Sequence, residues 1–252
     1  MPLRELRLIT EPTAGPAAFG TAVSHALLVR VVAGELPATF RLHAAQPVLS
    51  FGKQDALAPG FGKAVHAARE AGFSPVLRLA GGRAAVFHEG TLALAHATPE
   101  DAPREGTQQR FEACAGLLVD AFASLGIDAR LGEIPGEYCP GAWSVNAGGR
   151  IKLAGIGQRL IAGAAHVGGV AVAAGTERVR EALVPVYEAL GLEWDPATAG
   201  SAEDEAPGTT PEALADAIVA ELSQRYDLME ASLDPETLAL AEKIAPKHAI
   251  DL

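Results

Sequence analysis

One lysine inside an apolar run constrains the fold of this chain more than any other feature. Residues 151–156 read Ile-Lys-Leu-Ala-Gly-Ile, a run of strand length whose single charge is Lys152. An ammonium group left unpaired in an apolar layer is strongly disfavoured, so the chain must place a cavity or a counter-charge against this run. The bland alternative is a solvated strand residue. Gly155 and Gly157 follow on the same run. With no side chain to pack, they mark a bulge or a place where a ligand approaches the backbone closely. Ahead of the run, Asn146 to Gly149 has the turn chemistry of a hairpin tip. Regular alternation from that tip predicts Arg150, Lys152, Ala154, Ile156 and Gln158 on one face, with Lys152 and Gln158 both turned towards a pocket.

Upstream, Cys139 stands between Tyr138 and Pro140-Gly141. Pro140 has no amide proton and restricts the residue before it, which puts Cys139 on a loop. A loop thiol near a cation can act as a nucleophile, whereas a thiol among apolar groups is an inert small hydrophobe. Cys114 is of the inert kind, because it shares one face of a helix predicted over residues 108–125 with Phe111, Leu118 and Phe122. Two cysteines give neither a disulfide framework nor a zinc cluster. His43, His66, His96, His166 and His248 show no metal-ligand spacing, so no metal site is expected.

Helical spacing of apolar residues predicts helices over residues 17–32, 61–71, 177–190, 211–226 and 235–244, with proline at a plausible first turn of the later ones. Short alternating or apolar runs predict strands over 39–43, 47–51, 75–79, 84–97, 151–156 and 167–173. The sum is an α+β fold of mixed β-sheets with flanking helices. It reads as a single catalytic domain over residues 1–252, with a core of about 20–175 and a helical C-terminal portion of about 176–250. The acidic stretch 201–207, Ser-Ala-Glu-Asp-Glu-Ala-Pro, reads as a solvated loop. The net charge of −11, from 20 basic against 31 acidic residues, argues against a broad nucleic-acid surface. Neither a signal peptide nor a membrane-spanning run is evident, so a cytoplasmic protein without membrane association is expected.

A second constellation runs Arg78-Leu-Ala-Gly-Gly-Arg-Ala-Ala-Val-Phe-His88-Glu-Gly90. Gly81-Gly82 permits positive φ and close backbone approach, and its N–H groups are suited to a carbonyl or phosphate oxygen; the alternative is a plain hairpin turn. Arg78 reads equally as a pocket residue or a surface charge. Taken with Lys152-x-x-Gly155-x-x-Gln158-Arg159 downstream and Phe51-Gly-Lys-Gln-Asp55 upstream, this resembles the lipoate and biotin protein ligase superfamily, its lipoate protein ligase and octanoyltransferase members above all. The resemblance covers roughly residues 20–175 and implies a catalytic domain of the biotin/lipoate ligase type. Tyr138-Cys139-Pro140-Gly141 ahead of the lysine motif is similar to the octanoyl amidotransferase branch.

That resemblance implies an acyltransferase of lipoate biosynthesis and protein lipoylation. Cys139 would take an octanoyl or lipoyl chain as a thioester, and Lys152 would stabilise the thiolate or oxyanion, or shuttle a proton. Arg78, Gly81, Gly82, Gly155 and Gln158 would bind substrate, with no cofactor. The donor would be an octanoylated or lipoylated protein, glycine cleavage H protein or acyl carrier protein, and the acceptors lipoyl domains of 2-oxoacid dehydrogenases. Two other readings stand beside it. In an ATP-dependent lipoate ligase, Lys152 and the double glycine would hold an acyl-adenylate and Cys139 would be incidental. A non-catalytic paralogue would bind acyl groups or a lipoyl domain without turnover. The chain departs from the family pattern at Arg83, where a small or apolar residue is usual, and at Phe87 and His88, which stand where many ligases have a His and Asp pair.

Overall fold

The computed structural model describes residues 3–252. In chain order the first half comprises β1 (Arg4–Ile9), α1 (Ala17–Val32), β2 (Thr39–Ala44), β3 (Val48–Phe51), α2 (Lys53–Ala56), α3 (Phe61–Glu70), β4 (Ser74–Leu77), β5 (Ala85–Phe87), β6 (Thr91–Pro99) and α4 (Thr107–Ser124). The second half comprises β7 (Ala129–Leu131), β8 (Val145–Ala147), β9 (Ile151–Ile161), β10 (Ala164–Val172), α5 (Thr176–Leu190), α6 (Ala202–Glu205), α7 (Pro211–Arg225), β11 (Tyr226–Glu230) and α8 (Pro235–Ile244). The helices predicted from apolar spacing all form. Proline at the first turn of α7 and α8 follows Thr210 and Asp234, whose side chains accept the amides of Ala213 and Thr237.

Eight strands form the main sheet in the order β11-β1-β2-β6-β10-β9-β8-β7, and three form a small sheet in the order β4-β3-β5. Apolar residues of the main sheet pack with α4 and α7 around Leu118, Phe122, Ile218 and Leu222. The small sheet packs with α3 and α5 around Phe51, Val65, Leu183 and Val186. Helix α1 buries Val23, Ala26 and Leu27 against Ala241 and Ile244 of α8. The site described below lies between the two sheets' edges, where loops from both meet.

Several sequence expectations change. The run 84–97 is two strands in different sheets, β5 and β6, because the turn at His88 to Gly90 redirects the chain. Gly81-Gly82 is not a hairpin turn, since β4 and β5 do not pair and β3 lies between them. The acidic stretch is not a plain loop: it holds α6, capped by Asp204, whose carboxylate accepts the Ser201 amide and the Ser201 and Thr176 hydroxyls. The C-terminal portion is not purely helical, because β11 leaves α7 at Tyr226 and pairs in parallel with β1. No helix among the described residues is long and apolar enough to cross a membrane.

Burial also sets an acid limit on stability. His166 on β10 is pushed down to about 3 and His96 on β6 to about 4, both first by desolvation. Each therefore stays neutral in the fold and takes a proton on unfolding once the pH falls below its ordinary value near 6.5. The contribution of these two residues to stability is full above that value and is lost as the pH falls towards 4 and 3, by up to ~1.4 kcal/mol per pH unit per histidine. Urea unfolding across this window is expected to show the loss, and His96→Gln should flatten its upper part.

Candidate active site

Lys152 reaches the site because β9 carries a bulge. Asn146 of β8 pairs with Lys152, and Val145 pairs with Ala154, so Leu153 is an extra residue opposite β8. Alternation inverts there. A Cβ built on Gly155 would lie 3.3 Å from Lys152 Cε, which puts Gly155 on the Lys152 face. The shared face expected for Lys152 and Gln158 is thus corrected. Gln158 accepts from Arg110 Nε (3.0 Å) and donates to the Thr107 carbonyl (2.7 Å), tying β9 to the start of α4. The expected hairpin tip is present, with Gly148 and Gly149 at φ 56° and 72° and the Arg150 N–H donating to the Ala147 carbonyl at 2.9 Å.

Cys139 is the only non-glycine among the described residues with positive φ, at 44°. Such a backbone persists where its surroundings over-determine it, and here three contacts do so. Its N–H donates to Tyr187 Oη (2.8 Å), which in turn donates to the Ala84 carbonyl (3.0 Å). Its carbonyl accepts from Lys152 Nζ (2.8 Å). Its Sγ accepts from the Arg83 N–H (3.1 Å) and lies 3.8 Å from Arg78 Nη1. The sulfur thus has a backbone donor and a guanidinium directed at it. Cys114 differs as expected: it is buried in the α4 core and pushed up to about 12 by desolvation.

Lys152 is 1% exposed, and its ammonium is saturated. It donates to Glu137 Oε1 (2.9 Å), the Tyr138 carbonyl (2.9 Å) and the Cys139 carbonyl, and lies 4.9 Å from the Tyr138 ring centroid. Glu137, equally buried, also accepts from the Ile134 and Gly141 amides and the Ser144 hydroxyl. The pair thus ties together the whole loop that carries the thiol. In this arrangement Lys152 touches the Cys139 backbone and not its sulfur.

A cavity of about 370 Å³ opens on Cys139, lined by apolar groups including Phe87, Phe111, Trp143 and Ile156, with Arg78 and Lys152 at its polar end. It sits along the edge of β9 beyond Ala154, which β8 no longer covers. Gly81 crosses that edge, its N–H donating to the Gln158 carbonyl at 3.3 Å. Glycine is required at both crossings. A Cβ on Gly157 would meet the Gly81 carbonyl at 2.7 Å, and one on Gly82, whose φ is 117°, would meet Arg78 Nη1 at 2.7 Å and Cys139 Sγ at 3.0 Å. Gly157→Ala is accordingly expected to displace the double-glycine loop and destabilise the fold by about 1–3 kcal/mol. An unchanged melting temperature would contradict that close approach. A second cavity of about 110 Å³ shares Arg78 and Phe87 with the first and is lined by His43, Ser50 and His166.

The structure therefore brings together Arg78, Gly81, Gly82, Cys139, Lys152, Gly155 and Gln158 around one cavity. His88 lines neither cavity: it is buried under the turn, its Nδ1 accepting from the Gly90 N–H at 3.0 Å, and Phe87 faces the site instead. Sequence reasoning missed Glu137 and Tyr187, and gave Asp55 no role beyond its place in the Phe51 to Asp55 motif. A signal existed for Glu137, since the buried lysine required a counter-charge and this carboxylate stands two residues from the thiol. Among the described residues no group of His, Cys, Asp and Glu is placed to hold a metal ion.

An α+β catalytic fold with a loop thiol and a buried lysine at one cavity defines the class, and comparison with known proteins places it. The lipoyl protein ligase A/B catalytic domain model matches residues 16–189, and the chain belongs to that family. It is 31% identical over 188 residues to an octanoyl-[GcvH]:protein N-octanoyltransferase of Geobacillus kaustophilus, covering 73% of this chain and 66% of the relative. It is 36% identical over 118 residues to the protein of the same name from an Exiguobacterium species, covering 46% and 41%. The matches thus span less than two thirds of those relatives. A solved lipoate-protein ligase A bound with ATP superposes with a TM-score of 0.74 at 16% identity, covering 98% and 95% of the two chains. A bipartite lipoate protein ligase from Thermoplasma acidophilum superposes with a TM-score of 0.72 at 17% identity, covering 97% and 93%. At these identities the likeness is one of fold.

Proposed function

We propose that this chain is an octanoyltransferase that moves an acyl group from a protein donor to a lysine of a lipoyl domain, by way of a thioester on Cys139. The observation that carries this reading is the placement of Cys139 in the lining of the apolar cavity, its sulfur held by the Arg83 N–H at 3.1 Å with Arg78 Nη1 at 3.8 Å. The curated relatives are octanoyl-[GcvH]:protein N-octanoyltransferases, which points to octanoylated glycine cleavage H protein as the donor and lipoyl domains of 2-oxoacid dehydrogenases as acceptors. The site of action is the cytoplasm, where thiols are kept reduced.

In the first half-reaction the Cys139 thiolate attacks the carbonyl carbon of the donor's acyl-lysine amide. Arg83 N–H and Arg78 are the donors nearest the sulfur and serve the developing oxyanion. The C–N bond breaks, the donor lysine leaves with the proton given up by the thiol, and the acyl group stays on sulfur. In the second half-reaction the acceptor amine attacks the thioester, the C–S bond breaks, and the amine's proton returns to the sulfur. An amide is more stable than a thioester, so the intermediate must be kept from water, and the apolar cavity does this while orienting the chain. Lys152, with its three N–H groups committed, acts as the strut that sets the Cys139 carbonyl and so the direction of the thiol. The binding face is supplied by Arg78, Gly81, Gly82 and Gly155, with Gln158 fixing the start of α4. No cofactor enters.

The fold shared with an ATP-bound lipoate-protein ligase A supports a second reading, in which the cavity holds an acyl-adenylate. Purified chain, octanoylated H protein and a lipoyl domain, without nucleotide, separate the two. Octanoyl transfer without pyrophosphate release is expected. Strict dependence on ATP would establish the ligase, and tight binding without turnover over any donor would establish a binding paralogue.

A further inference from the structure

The amide that meets the Cys139 sulfur belongs to the most flexible kind of backbone, a residue directly after Gly81-Gly82. Something must hold it. Arg83 is tethered three ways: its N–H donates to Cys139 Sγ at 3.1 Å, its carbonyl accepts from Arg78 Nη1 at 2.8 Å, and its guanidinium Nη1 donates to Asp55 Oδ1 at 3.2 Å. Asp55 is fully buried, and its other oxygen accepts the Gly52 N–H at 2.8 Å. Arg83 is the only ion-pair partner of Asp55 among the described residues. A buried carboxylate without that partner would be strongly disfavoured, so the pair is held from the Asp55 side. The anchor lies directly beneath the loop, since a Cβ on Gly52 would meet the Gly82 carbonyl at 1.9 Å.

We infer that Asp55 is a positioning residue of the reaction, whose buried carboxylate clamps the Arg83 side chain and thereby holds the Arg83 amide on the Cys139 sulfur. The inference rests on the reading of Cys139 as the acyl carrier. Asp55 touches neither substrate nor sulfur and acts only through Arg83. The side chain at position 83, which departs from the family's small residue, is thus what restrains the double-glycine segment. Loss of the clamp releases the amide into the conformational freedom of its neighbours and weakens the donor at the thiolate and oxyanion alike.

The test uses the full chain and the variants Asp55→Asn, Arg83→Ala and Arg83→Lys. Two readouts are taken: the pH profile of Cys139 alkylation by iodoacetamide, mapped by peptide mass to separate it from Cys114, and kcat and KM for octanoyl transfer. Asp55→Asn and Arg83→Ala are expected to move the alkylation profile to higher pH and to lower kcat on the order of tenfold with KM for the lipoyl domain little changed. Arg83→Lys is expected to recover most of both. Folded variants with the parent's alkylation profile would overturn the clamp. If a single variant does not fold, the double variant Asp55→Asn/Arg83→Gln removes charge and partner together and is judged by the same profile. A parent that forms no acyl-enzyme but whose variants show the shifted profile would sink the transferase reading and leave the clamp standing.

Discussion

Cys139→Ser is expected to lower octanoyl transfer by about 10³-fold or more while leaving the fold and the affinity for protein substrates close to those of the parent. The substitution keeps the backbone that the site depends on, because serine makes the same amide and carbonyl contacts with Tyr187 and Lys152 and adopts the same φ of 44° at the same cost. A hydroxyl can also accept the Arg83 N–H. What is lost is chemistry. An alcohol is far less acidic and less nucleophilic than a thiol, and an ester gives up its acyl group to an amine less readily than a thioester does. Steady-state transfer from octanoylated H protein to a lipoyl domain measures the effect. Near-parental turnover in the serine variant would remove the covalent route.

Lys152→Met is expected to cost about 3–5 kcal/mol of stability, because it leaves Glu137 buried without its counter-ion, and to abolish measurable transfer. Methionine fills nearly the same volume, so the loss reports charge and hydrogen bonding and not a cavity. Glu137 makes contacts with Ile134, Gly141 and Ser144 as well as Lys152, so an unpaired carboxylate there loosens the loop that aims the thiol. Glu137→Gln/Lys152→Met removes the charge with its partner and is expected to recover much of the stability but little of the activity, since the Cys139 carbonyl still has no donor. Thermal unfolding and transfer assays on the two variants check both parts. A double variant as unstable as Lys152→Met would contradict the view that the unpaired charge is the main cost.

The features that carried this site were local, and that is why they could be read. Pro140 forces Cys139 onto a loop, Gly148-Gly149 makes a tip, and a lysine in Ile-Lys-Leu-Ala requires a polar partner wherever it goes. The facing of β9 was not readable, because nothing in its residues says that Leu153 is the extra one; the bulge is a property of its pairing with β8. One residue of slip turned Gly155 towards Lys152 and Gln158 towards α4. The roles of Asp55 and Tyr187 escaped for a related reason: they meet the site through contacts to residues 28 and 48 positions away. Strands β1 and β11 pair in parallel across 222 residues, from Arg4 to Tyr226, which no local pattern marks. Leu6 and Leu8 on β1 do alternate as a half-buried strand should.

In this mechanism the acyl group rests on the Cys139 sulfur between donor and acceptor. Intact-protein mass spectrometry after mixing the chain with octanoylated H protein, without nucleotide or acceptor, tests it most directly. A mass gain of one octanoyl group that maps to the Cys139 peptide, is released by hydroxylamine and disappears on adding a lipoyl domain is the expected result. Transfer to the lipoyl domain that proceeds at full rate with Cys139 never acylated would contradict it.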